Sequence, residues 1–145
     1  MKRSGVTLLE MLIVVTIIAT VVSVSFPALT AGLAGIRLRS ASGSVASFLT
    51  SAMNNVERRE QPAAIVVVPK DNVISVYTAA SGEKPSETLK MPQGIEIEGD
   101  IEQTPRRFML FPGGAFPRIT VTLRSEKGGR RTIEIDPVTA VPKIR

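Results

Sequence analysis

The sequence contains no cysteine and no histidine in 145 residues. Without cysteine there is no disulfide framework, no thiol nucleophile and no thiolate metal ligand. Without histidine the commonest general base and the commonest metal ligand are both missing. Carboxylates, lysines, Tyr77 and hydroxyls are what remains for catalysis. A phosphate loop is missing too: Phe111-Pro112-Gly113-Gly114-Ala115-Phe116 lacks the Lys-Ser/Thr ending and a following helix, and reads as a turn. Glu96, Glu98, Asp100 and Glu102 alternate as the solvent face of a strand does, whereas a calcium loop clusters its oxygen ligands in a sharp turn. No catalytic constellation emerges, so neither an enzyme nor a cofactor is expected. Charge is scarce in one place above all. From Val6 to Phe26 the single charged residue is Glu10, and the next charge is Arg37.

What is present is one domain's worth of chain behind a membrane-length apolar run. Formal net charge is +5 and unevenly spread. Glu57 to Glu102 holds five Lys/Arg against nine Asp/Glu, net −4, and Arg106 to Arg145 holds nine against three, net +6. A basic C-terminal third suits nucleic acid, an anionic membrane surface or an acidic partner, or is a solvated mixed-charge surface.

The apolar run is long enough to cross a bilayer as a helix, which takes about 20 residues. Three readings compete. A cleaved secretory signal has a shorter apolar region of about 7–15 residues, although Gly32-Leu33-Ala34 would serve as a cleavage site. A plain signal anchor would be held by Lys2 and Arg3. The third reading must also account for Glu10, since a carboxylate in hydrocarbon costs roughly 2.5–3.5 kcal/mol and calls for a partner. Pro27 predicts a kink or a locally melted turn.

Beyond the glycines at 32, 35 and 43, apolar residues return at steps of three and four: Leu38, Ala41, Val45, Phe48, Ala52 and Val56. Serines and Asn55 lie between them, so this is a helix with one apolar stripe, ending near Arg59 before Pro62. The period then changes to two. Ala64–Val68 and Val73–Tyr77 flank the turn residues Pro69-Lys70-Asp71-Asn72 as a hairpin. Residues 80–86 read as loop, Gly94–Glu98 and Phe108–Phe111 as strands, and Ile119–Leu123 with Thr132–Ile135 as a second hairpin about Gly128-Gly129. The expected fold is α+β: a long N-terminal helix packed on a mostly antiparallel β domain.

The stretch Gly5-Val6-Thr7-Leu8-Leu9-Glu10, the long apolar run and Pro27 resemble the N-terminus of type IV pilin-like proteins. The strand-rich remainder more loosely resembles the GspH/FimT group of minor pseudopilins and minor pilins. Its closing strands are matched by Ile119–Leu123, Thr132–Asp136 and Lys143-Ile144-Arg145, with Ala140 standing where that group often has glycine. The resemblance implies a leader, 1–5, removed by a prepilin peptidase between Gly5 and Val6, with N-methylation of Val6. It implies a transmembrane and filament-core helix over 6–36, an amphipathic helix over 37–61 and a periplasmic β domain over 62–145. Glu10 becomes the fifth residue of the mature chain and pairs with the freed amine of a neighbouring subunit, and Pro27 breaks the helix.

The implied protein is a minor pseudopilin of a type II secretion system or, alternatively, a minor pilin of a type IV pilus. Its partners would be other pilins or pseudopilins in a hetero-oligomeric filament, the peptidase, the inner-membrane assembly platform and the membrane itself. Some relatives resemble DNA receptors with basic tails. Arg118, Arg124, Arg130, Arg131, Lys143 and Arg145 are therefore the candidate nucleic-acid or partner contacts, although no aromatic residue is interleaved among the tail cations.

Overall fold

The computed structural model describes residues 6–99 and 104–145, with the side chains of 26–31 outside the description. The chain divides into two units, 1–33 and 34–145. Among the described residues a long helix, α1, spans Leu8–Arg59 and is followed by eight strands, with one 3-10 turn at Ala79–Ser81.

In the first unit Leu8–Ser25 is an 18-residue stretch of mean hydropathy 2.4, long and apolar enough to cross a membrane, with none of it buried. Its hydroxyls are satisfied within the helix: Thr16 Oγ1 donates to Leu12 O (2.7 Å), Thr20 Oγ1 to Thr16 O (2.8 Å) and Ser23 Oγ to Ala19 O (2.8 Å). A polar group without a partner in lipid costs several kcal/mol, and these bonds remove that cost for each hydroxyl.

The second unit is the expected α+β domain. β1 (Ala63–Val68), β2 (Val73–Thr78), β3 (Glu87–Lys90) and β5 (Arg106–Leu110) form one antiparallel sheet in the order β3-β2-β1-β5. β4 (Ile95–Glu98), β6 (Ile119–Ser125), β7 (Arg130–Ile135) and β8 (Pro142–Ile144) form the other, in the order β4-β6-β7-β8. Both hairpins pair as their turn residues dictate, with Val68 opposite Val73 and Arg124 opposite Arg130.

A single core joins the helix and the two sheets. Ile65, Val67, Ile74 and Val76 come from one sheet, Ile97, Val121, Leu123, Ile133 and Ile135 from the other. Period-two alternation is cleanest in β6, where Ile119, Val121, Leu123 and Ser125 are buried and Thr120, Thr122 and Arg124 are not. α1 presents Leu38, Ala41, Val45, Ala52 and Val56 as its stripe predicts, adding Leu49 and Met53, while Phe48 is only partly buried against the core. Ser42, placed by its polarity on the solvent side of the stripe, is fully buried instead; its hydroxyl donates to Leu38 O at 2.7 Å, which removes the cost of burying it.

Two contacts close the domain at its ends. Gly113 N–H donates to both Glu57 carboxylate oxygens (3.2 and 3.3 Å), fastening the β5–β6 loop to the last turns of α1. At the other end Asn72, with φ 60°, turns the β1–β2 hairpin and crosses to the second sheet. Its amide Nδ2 donates to Ile95 O (2.9 Å) and its Oδ1 accepts from Ile97 N–H (2.7 Å), so the side chain pairs with β4 much as a neighbouring strand would. Its own carbonyl accepts from Met91 N–H at 3.0 Å.

Candidate functional site

The N-terminal candidates are Gly5, Val6, Glu10 and Pro27. Gly5 lies outside the described residues, as does the side chain of Pro27. Val6 is exposed just ahead of α1, and Glu10 is exposed in the first turn. The Glu10 backbone N–H donates to Thr7 Oγ1 at 3.2 Å, and Met11 N–H to Thr7 O at 3.3 Å. Thr7 therefore caps the helix, and Thr7-Leu8-Leu9-Glu10 has the spacing of a capping box. A carboxylate three residues into a helix also meets the positive end of its dipole, worth about 0.3–1 kcal/mol. The Thr-x-x-Glu spacing of this cap is legible in the sequence and stands beside the expectation of a partner for the Glu10 carboxylate.

The six basic candidates are split by strand parity. Arg124 lies opposite Arg130 and Glu134 opposite Lys143, while Thr132 exchanges backbone hydrogen bonds with Arg145. These cations share the outer face of the second sheet with Glu96, Glu98 and the hydroxyls of Thr120, Thr122 and Thr132. Arg131 lies opposite Leu123, on the face that carries the core, at the end of the sheet next to Gly129. Three of the six are already paired: Arg118 with Glu134 (3.7 Å), Arg130 with Glu98, and Lys143 with Asp136 (3.0 Å). Asp136 is the best held of these acids. The backbone N–H of Val138, the Lys143 ammonium and the backbone N–H of Thr139 lower its pKa to about 2. Phosphate would have to displace carboxylates at half of the set.

The outer face of the first sheet carries an open cleft of about 640 Å³, with Ala64, Val66, Tyr77, Glu83, Arg107 and Met109 among its walls. Among the described residues no cluster of three or more Asp/Glu could hold a metal ion.

The first 26 residues match the prokaryotic N-terminal methylation motif. That motif stands ahead of the α+β domain described above, in line with the resemblance to type IV pilin-like proteins. Among solved structures, the fold is similar to that of the type IV minor pilin FimU of Pseudomonas aeruginosa (strain PAO1) in two crystal forms. One gives a TM-score of 0.56 at 14% identity, covering 74% of this chain and 92% of that one. The other gives 0.55 at 14% identity, covering 74% and 86%. At such identity the likeness is one of fold. No curated protein sequence matches the chain.

Proposed function

We propose that this chain is a minor structural subunit of a type IV pilin-like filament. The observation that carries the reading is the union of the methylation motif over residues 1–26 with a minor-pilin fold. A prepilin peptidase cuts between Gly5 and Val6 and Val6 is methylated. The exposed apolar half of α1 anchors the chain in the inner membrane with its β domain in the periplasm, then packs among like helices in the filament. Glu10, released from water by either setting, is held by its own capped helix end and by the amine of a neighbour. Pro27 lets the helix bend as it leaves the bilayer. The outer-face cations, half of them paired, are surface of the domain and not a DNA site.

Two systems use such subunits. The likeness to FimU supports a type IV pilus. The GspH/FimT-like pattern of the chain supports a type II secretion pseudopilus equally. Deleting the gene and scoring surface pili and exported proteins side by side separates the two. Within either system, Glu10→Val is expected to be processed normally and to be missing from sheared filaments. Wild-type incorporation of that variant contradicts the role given to Glu10, and unprocessed Gly5→Ala beside processed wild type supports the cleavage site.

A further inference from the structure

The end of the β domain at which α1 enters it gathers cations from four separate segments. Arg37 and Arg39 are exposed on α1 beside buried Leu38. A Cβ placed on Gly129 would stand 3.1 Å from Leu38 Cδ2, which puts the β6–β7 turn, with Lys127 and Arg131, at this end. Leu89, Lys90, Met91 and Pro92 line a hollow with Ser40, Ala41 and Ser44, which brings Lys90 there. The Met91 N–H bond to Asn72 O brings the β1–β2 turn, with Lys70. Against these six cations stand Asp71 and Glu126, which lie in the same turns, and exposed Glu96, held between the two Asn72 contacts to Ile95 and Ile97 and set opposite Arg124, a further cation of this end. No ion pair involves any of the six among the described residues. At the opposite end, around the last turn of α1, Glu57, Glu60, Glu83 and Glu87 offset Arg58, Arg59 and Lys84. The charge is therefore polarised along the domain, not spread over it.

We propose that this cationic end is a docking surface for an anionic lipid bilayer, used while the subunit waits in the membrane before assembly. The proposal rests on the reading of Leu8–Ser25 as a membrane span. Eleven residues lie between Ser25 and Arg37, a span of roughly 18 Å at helical rise, and none of them is charged. The chain thus tethers the collar within reach of the headgroup layer, and Ile36, 66% exposed, adds an apolar residue beside the cations. A lysine or arginine near an anionic surface strengthens association about fivefold, over a range of roughly 8–10 Å at moderate salt. A bilayer suits the collar better than a nucleic acid does. Its charges ring one end of the domain, where a plane can meet them together, and the tether holds that end near lipid.

The test uses the full chain, whose lack of cysteine permits single labels. A fluorophore at Gln93→Cys reports the collar, and one at Thr139→Cys, in the exposed β7–β8 turn, reports the opposite end. Each protein is reconstituted into phosphatidylcholine vesicles with or without phosphatidylglycerol, both carrying a headgroup quencher. Quenching at 93 and not at 139, present only with phosphatidylglycerol and abolished by high salt, is expected. The combined Lys70→Gln, Lys90→Gln and Lys127→Gln variant should weaken docking roughly a hundredfold, while the three lysine-to-arginine changes should keep it. Equal signals in both vesicle types, or in the glutamine variant and wild type, overturn the proposal while leaving the span intact. Failure of the chain to float with phosphatidylcholine vesicles overturns the span itself. Loss of the signal to duplex DNA at concentrations where soluble phosphatidylglycerol headgroup does not compete would assign the surface to nucleic acid instead.

Discussion

Replacing Asn72 with alanine should be among the costliest changes of a turn residue in this domain. The substitution removes the donor to Ile95 O at 2.9 Å and the acceptor of Ile97 N–H at 2.7 Å, which together tie the first sheet to the edge of the second. It also leaves alanine at φ 60°, a conformation asparagine tolerates better. Two lost hydrogen bonds and left-handed strain add to about 2–4 kcal/mol. Asn72→Gly loses the same bonds without the strain and should recover about 1 kcal/mol of that. Urea unfolding of residues 34–145, followed by circular dichroism, reads both values from shifts in midpoint at constant slope. Amide exchange at Ile97 gives an independent reading and should accelerate in both variants. An alanine variant within about 0.5 kcal/mol of wild type, with Ile97 still protected, would refute the claim that this side chain joins the sheets.

Other perturbations test other parts of the account. Ala140 has φ 55°, at the position where the GspH/FimT group often has glycine; Ala140→Gly should stabilise the domain by about 0.5–1 kcal/mol in the same urea experiment. Asp136 titrates at about 2, so the stability it lends is complete above the ordinary carboxylate range near 3.8 and is lost as pH falls toward 2. Carbon-detected NMR should find its midpoint there, and Lys143→Met should move that midpoint upward. Gly129→Val should push against Leu38, which already stands 3.1 Å from the position of a Cβ, and lower stability by about 1–3 kcal/mol in thermal unfolding.

The elements that were legible in the sequence are those whose periodicity and punctuation agree. The end of α1 at Arg59 follows from Pro62, and the β1–β2 and β6–β7 hairpins follow from β-branched runs flanking turn residues. β3 was not legible. Glu87-Thr88-Leu89-Lys90 is a short edge strand exposed on nearly every residue, so it carries no apolar alternation. β5 begins at Arg106, two residues before the apolar run that announces it, because Arg106 and Arg107 pair with Val67 and Val66 despite their charge. The basic residues looked like one set along the chain, but the register that sets Arg130 against Arg124 sends Arg131 to the other face. Asn72 reaches partners 23 and 25 residues away, and the cationic end is assembled from four segments; neither can be read from local spacing. The Thr7 cap could have been, from its distance to Glu10 alone.

The central claim is that this chain becomes a filament subunit by processing at Gly5–Val6. Mass spectrometry of its N-terminal peptide, after expression with and without a prepilin peptidase, tests it most directly. The expected result is a peptide that begins at Val6 and carries one added methyl group, seen only with the peptidase. A chain that keeps residues 1–5 in its presence, or one cut after Ala34 by a signal peptidase, would contradict it.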